Sequence, residues 1–392
     1  MSLWTERIRA ELDAVVEQGR WRAPREFDAS GPSGSLEGDD VVSFASNDYL
    51  GLSAHPAVIA AAHHALDRWG TGAGASRLVT GSRPVHRELE EELASWKDTA
   101  AAMCFPTGFA ANLGVLSVLG GPGVRVLSDE LNHASIIDGC RLSRSDVSIY
   151  RHGEVAHLAS LLASQSADLP TIVVTDSVFS MDGDVAPLDE IAALCRESGA
   201  LLVIDEAHAV LGPARPASFG RDDEELVVVR VGTLSKTLGA LGGFVAASRD
   251  VIDLLVNRAR SYIFSTALTP ADAAAALAAL RVLRSDEGDR LVARLSAEVA
   301  RVAGAALGRP DHLSPIIPII VGSERQALDT SAALLAQGIW VPAIRPPTVP
   351  AGTSRLRVAL SAVHTDEQIT QLLGGLDALG LIPALSAPAA LS

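Results

Sequence analysis

Three cysteines in 392 residues, Cys104, Cys140 and Cys195, form no C-x-x-C pair. Their odd number argues against a disulfide framework and suits a reducing compartment, with each thiol a small buried hydrophobe. Basic charge is also short: 32 Lys and Arg stand against 47 Asp and Glu, a formal net charge of −15. That balance argues against nucleic acid or an anionic membrane as the main partner, but leaves room for a local basic patch facing an anionic small molecule. No window approaches the roughly 20 apolar residues of a membrane span. The opening MSLWTERIRAELD is charged from its sixth residue and lacks the apolar core of a secretory signal. A soluble cytoplasmic protein is expected. There is no repeat at solenoid periods and no G-x-S-x-G elbow. HGEVAH (152–157) is H-x-E-x-x-H rather than H-E-x-x-H, and reads as a solvated helix start, not a zinc site; no metal is expected.

Apolar material is plentiful, at 48% hydrophobic against 20% charged residues, so the chain can bury a core, and its length suggests more than one domain. Leu3, Ile8, Leu12 and Val15 predict an amphipathic N-terminal helix within the first 30 or so residues, and DASGPSGSLEGDD (28–40) reads as a linker. Helices are expected at 56–69, with Val58, Ile59, Ala62, Leu66 and Trp69 inward, and at 84–97, with Leu89, Leu93 and Trp96 inward. From residue 100, apolar runs at 101–105, 124–128, 147–150, 171–175, 201–205, 226–231 and 243–247 alternate with helical stretches. Continuous rather than alternating apolarity suits strands covered on both faces, so the fold class is α/β with a mainly parallel seven-stranded sheet. The last two runs lie close together, which suggests one antiparallel edge strand. After Thr269-Pro270, an Ala/Leu-rich helical stretch broken near SDEGD leads into short strands and helices, a smaller α+β unit, and the tail from 384 is expected to fray. The expected divisions are 1–45, 46–268 and 269–392.

In such sheets ligands bind beyond the carboxyl ends of the strands. There the sequence places Gly108 and Phe109 at a helix start suited to an anion, His133 after the second run, Ser177 and Ser180 after the fourth, and Asp205 and His208 in VIDEAHAVLG. Asp205 ends a strongly apolar strand, where a carboxylate is costly without a cation or donors. One reading is a DEAH-type nucleotide hydrolase, but its phosphate loop should lie upstream, and the nearest candidate, GTLSKT, lies downstream without the glycine before lysine. The other reading joins Asp205 to Lys236, the lone lysine of VGTLSKTLGALGG. A pyridoxal phosphate enzyme needs a lysine for a Schiff base, an acid at the ring nitrogen, a covering aromatic ring and a phosphate site. Lys236, Asp205, His133 and Thr233 can fill those places, with His208 a donor to the ring hydroxyl. Gly232, Gly239, Gly242 and Gly243 would let backbone approach the ligand.

These motifs, with FASNDYLGL, SRLVTGS, LNHASIIDG and VFSMDGDVAPL in the same order, resemble the α-oxoamine synthase family, fold-type I pyridoxal-phosphate enzymes of the class-II aminotransferase superfamily. The likeness runs from about residue 5 to about 380. Thr237 departs slightly from it, since a small residue more often follows the lysine. AIRPPTVPAGTSRLRVALSA is most similar to the branch that joins pimeloyl-CoA, or the pimeloyl carrier-protein thioester, to L-alanine in biotin synthesis, giving 8-amino-7-oxononanoate, CoA or carrier thiol, and CO₂. Siblings of the glycine C-acetyltransferase type share the earlier motifs. The resemblance implies pyridoxal 5'-phosphate as cofactor. It implies Lys236 as Schiff-base lysine and proton-moving base, Asp205 as pyridinium partner and His133 as stacking ring. Ser180 and His208 would be donors to the phenolic oxygen, and Gly108, Phe109 and Thr233 phosphate or cofactor contacts. Arg355 would pair with the substrate carboxylate, Arg22 and Thr353 would touch substrate, and Asn47 would shape the pocket. Arg345 joins Arg355 as a candidate for a basic mouth. The family implies a homodimer with the site at its interface, Ser265 and Thr266 reaching the partner's phosphate.

Overall fold

The computed structural model describes residues 2–164, 169–211 and 226–382; the tail expected to fray lies outside them. Seven of its strands form a central sheet: β1 (Ala101–Phe105), β2 (Arg125–Asp129), β3 (Asp146–Tyr150), β4 (Thr171–Asp176), β5 (Leu201–Asp205), β6 (Val228–Thr233) and β7 (Gly243–Ala247), in the spatial order β1-β7-β6-β5-β4-β2-β3. From β6 to β3 the pairing is parallel throughout. Strand β7 runs antiparallel to both β6 and β1, so it lies inside the sheet and not at the expected edge. The reason is burial: every residue of β7 is buried, and a strand without access to water needs a ladder on both sides. The opposite edge, β3, is mostly exposed and begins with Asp146, a charge that discourages further pairing. Successive residues of one strand enter different cores. Val126, Val174 and Val203 pack on one face with Val115 and Leu116 of the helix Gly108–Leu119; Leu127, Val173 and Leu202 pack on the other with Ile191 of the helix Leu188–Ser198. Continuous apolarity thus reflects cover on both faces.

The first helix is Leu3–Glu17, capped by Ser2, whose hydroxyl accepts from the Thr5 N–H at 3.2 Å. It buries none of its residues among the described residues; Leu3, Trp4, Ile8, Leu12 and Val16 are exposed. The stretch read as a linker is strand instead. Phe27–Asp28, Ser33–Leu36 and Asp39–Ser43 form an antiparallel meander, and Ile339–Trp340 adds in parallel to Asp39–Ser43. Its glycines and serines supply turn chemistry: Glu37 and Gly38 both have positive φ between the paired Leu36 and Asp39, the geometry of a two-residue hairpin.

The helices Pro56–Trp69 and Pro84–Lys97 form where expected, each with proline in its first turn, although Ile59 points outward and Ala65 is buried in the stripe. The helix Pro270–Leu283 packs against both. After a break at Arg284–Ser285, Ser285 caps Asp286–Leu307. Ile316–Gly322, Ser354–Ala359 and Ala343–Ile344 make a three-stranded sheet. The run IWVPAI is divided at Val341-Pro342, its first half joining the N-terminal sheet and its second half this one.

Candidate active site

The loops after β1, β2, β4, β5 and β6 converge. Beyond β1, the Thr107 hydroxyl accepts from the Ala110 N–H at 3.0 Å and starts the helix Gly108–Leu119. Its unpaired first-turn amides and positive dipole end make an anion site, with the Thr233 hydroxyl beside Gly108 and 2.7 Å from the Ser235 hydroxyl. Gly243 presses on this turn: a Cβ there would overlap the Gly108 nitrogen and the Thr107 carbonyl. The other glycines of the run also meet protein and not open space, Gly232 against the Phe244 ring, Gly239 against Ser53 backbone and Gly242 against Leu234. They let residues 231–243 fold onto their neighbours.

Asp205 is buried at the end of β5, accepting from Asn112 Nδ2 at 2.6 Å and from the Ala207 N–H at 2.9 Å. Asn112 also donates to the Ser135 hydroxyl at 2.9 Å, and Ser135 lies 2.7 Å from His133 Nδ1. His133 caps the helix Ala134–Ser143, its ring exposed toward the site and 6.4 Å from the Phe109 ring at 77°. Asp176 pairs with Asp205 across β4 and β5 and accepts from the His133 N–H at 2.9 Å. Burial and the like charge of Asp205 raise its carboxyl well above the usual range.

Lys236 Nζ lies 2.7 Å from His208 Nε2. Burial pulls the amine down to about 8 against the attraction of Asp205 and Asp176. His208 is held well below its ordinary value, by burial first and then by Lys236 and Arg357, so its ring is neutral. Facing an ammonium, Nε2 accepts, and the Nδ1–H donates to the Tyr49 oxygen at 2.6 Å. The Tyr49 hydroxyl, pushed up to about 12 by burial, donates to Asn47 Oδ1 at 3.0 Å, which also accepts from Arg357 Nη2 at 3.1 Å. A directed chain thus runs from Lys236 through His208 and Tyr49 to Asn47.

Arg357 Nε donates to the Ser180 carbonyl at 2.6 Å, and its charge reaches both Lys236 and His208. Arg355, one strand step away on the same face, is ion-paired with Asp182 and donates to the Thr353 carbonyl at 3.0 Å and hydroxyl at 3.2 Å. Arg345 donates to the Gly19 carbonyl at 2.6 Å, which draws the segment carrying the exposed Arg22 toward the 345–353 loop. Ser265 and Thr266 follow the exposed Phe264, outside these networks, where the helix Arg260–Ile263 packs on the turn Arg77–Gly81. Glu206, the second acid of the DEAH reading, is buried away from the site. It pairs with Arg230 and lies 2.6 Å from Lys97 Nζ, so it is committed to a structural triad.

Tyr49, Asn112, Ser135, Asp176 and Arg357 were missed by the sequence reading. The strand-end rule that singled out Asp205 applies equally to Asp176. Two-residue periodicity puts Arg357 on the face of Arg355.

Residues 39–376 match the family model described as "Aminotransferase class I and II". The chain belongs to the class I and II aminotransferase family. Among its relatives it is 49% identical over 383 residues to the 8-amino-7-oxononanoate synthase of Anaeromyxobacter dehalogenans, 95% of each chain being covered. It is 47% identical to that of Burkholderia thailandensis over 94% of this chain and 95% of the other. Among solved structures, the serine palmitoyltransferase of Sphingomonas wittichii superposes with a TM-score of 0.86 at 33% identity, covering 98% of this chain and all of the other. The 8-amino-7-oxononanoate synthase of Francisella tularensis gives 0.72 at 28%, covering 87% and 98%.

Proposed function

We propose that the protein catalyses the decarboxylative condensation of L-alanine with pimeloyl-CoA, or the corresponding carrier-protein thioester, to 8-amino-7-oxononanoate, using pyridoxal 5'-phosphate. The observation that carries this reading is a half-buried lysine of lowered basicity within the charge field of a buried strand-end carboxylate, three residues after the Thr233 that lies beside a helix N-terminus. The donor set fits the cofactor. Lys236 would hold it covalently, Asp205 would keep a proton at the ring nitrogen, and the Gly108–Phe109 turn with Thr233 would take the phosphate. The exposed His133 ring would cover the cofactor face, and Ser180 and His208 would be the neighbours of its phenolic oxygen. When bound, pyridoxal phosphate supplies an electron sink for the charge left as the α-C–H and α-carboxyl bonds of the amino acid break.

With a pKa of about 8, Lys236 can serve as the base that moves the α-proton near neutral pH. Its neutral neighbour His208 would accept a hydrogen bond from the lysine at Nε2 and so orient the amine. For the substrate carboxylate, geometry favours Arg357 over Arg355: Arg357 reaches the charge field of Lys236, whereas Asp182 already occupies Arg355. Arg22 and Arg345 would supply a locally basic mouth for an anionic thioester on an otherwise acidic protein. The three described cysteines, all free and buried, accord with a cytoplasmic site of action.

Identities of 46–49% over more than nine-tenths of the chain to curated 8-amino-7-oxononanoate synthases support alanine and a dicarboxylic acyl chain. Purified protein should be yellow, and borohydride should fix a cofactor-derived mass on the Lys236 peptide. CoA release should be fastest with alanine and pimeloyl-CoA. Faster release with glycine and acetyl-CoA, or with serine and palmitoyl-CoA, would reassign the substrates, and a colourless protein that binds no pyridoxal phosphate would remove the proposal altogether.

A further inference from the structure

His152 opens the H-x-E-x-x-H stretch, between β3 and the helix Val155–Ala163, and it is not merely solvated. Its Nδ1 lies 2.9 Å from Asp129 Oδ1 and its Nε2 2.6 Å from Asp184 Oδ2, while its ring meets Phe179 edge-on at 4.3 Å between centroids. Two carboxylate partners require both ring nitrogens to donate, so the ring is an imidazolium. Burial opposes that charge, but the hydrogen bonds to Asp129 and Asp184 outweigh it and raise the group to about 10.

The two carboxylates belong to different pieces of the proposed cofactor site. Asp129 ends β2 and is buried; it also accepts from the Leu131 N–H at 2.9 Å and the Gly153 N–H at 3.0 Å. It therefore shapes the loop that ends in His133. Asp184 closes the turn after β4: the Phe179 N–H donates to the Asp184 carbonyl at 3.0 Å, and the Gly183 N–H to the Phe179 carbonyl at 2.8 Å. Ser180 and Asp182 lie within that turn, and through them Arg357 and Arg355 are held. His152 itself comes from a third loop and reaches no other residue of the site.

We propose that His152 is a positioning residue, a cationic clip that sets the spacing between the His133 loop and the Ser180 turn and so the width of the slot into which the cofactor ring fits. The inference rests on the pyridoxal phosphate reading for its consequence, though not for its geometry. Its test uses His152→Ala and Asp184→Asn, the second removing one anchor at a partly exposed carboxylate should the first fail to fold. The dissociation constant for pyridoxal phosphate is measured by absorbance, and amide exchange is measured on the cofactor-free proteins. Both variants are expected to bind cofactor about tenfold more weakly, as befits loss of a charged hydrogen bond. Exchange should quicken in 129–133 and 177–184 and little elsewhere. Because the ring is partly exposed, free imidazole should restore binding to His152→Ala but not to Asp184→Asn. Unchanged affinity in both variants, exchange that quickens evenly along the chain, or no rescue by imidazole would overturn the clip. If the parent protein binds no pyridoxal phosphate, the proposed function fails instead, and the exchange measurement still reads the clip by itself.

Discussion

Burial is what would fit Lys236 for the proposed role of base. A solvated lysine at neutral pH is almost wholly protonated. Here burial lowers the amine to about 8, and the neutral His208 ring 2.7 Å away adds no opposing charge. The neutral fraction then rises about tenfold per pH unit below 8 and levels off above it. Capture of pyridoxal phosphate by cofactor-free protein should follow that curve in stopped-flow absorbance, and a rate flat from pH 6 to 9 would remove the lysine from this role. The two arginines of RLRVAL give a second prediction at this scale. Arg357→Lys should raise KM for the amino acid by about tenfold or more, because a point charge cannot replace a planar fork, while leaving cofactor binding nearly intact. Arg355→Lys should disturb the Asp182 turn first. The opposite ranking in steady-state kinetics would return the carboxylate to Arg355. The sequence displays both arginines equally; their different partners, Asp182 for Arg355 and Ser180 and Asn47 for Arg357, tell them apart.

Among the elements, the contact between the helix Gly108–Leu119 and β7 matters most for the site, because it aims the helix N-terminus. Gly243→Ala should push the two apart, costing about 1–3 kcal/mol in urea unfolding and weakening cofactor binding in the same variant. Unchanged stability would mean that the strand moves aside freely. The helices were largely legible beforehand, since prolines, serines and threonines at their starts act locally. The meander at 27–43 was not legible, because its partner Ile339–Trp340 is about 300 residues away and a Gly/Ser-rich stretch has the same local chemistry in a turn as in a linker.

At the scale of the whole molecule, apolar surface is left over. The face of Leu3, Trp4, Ile8 and Leu12 has no cover among the described residues, and Phe264, Leu78 and Val79 stand out near Ser265 and Thr266. Patches of this kind mark association surfaces. We expect a homodimer by sedimentation, with Phe264→Asp shifting it toward monomer and reducing activity and cofactor retention together; a fully active monomer would show each chain's site to be complete. No described helix is long and apolar enough to cross a membrane.

The sequence by itself determined the parallel sheet, through continuous apolar runs, and the chemical inventory at its strand ends, through Lys236, Asp205, His133 and His208. Both are properties of short segments and of the types of residue in them. Tertiary structure alone decided that β7 lies inside the sheet, that Asp176 stands beside Asp205, that Tyr49 orients His208, that Glu206 belongs to a buried triad, and that Arg355 is paired with Asp182 while the charge of Arg357 bears on the lysine. Each of those depends on which distant segment arrives next to a given side chain. Hydrogen-bond partners and local charge follow from that arrival, and no local pattern encodes it.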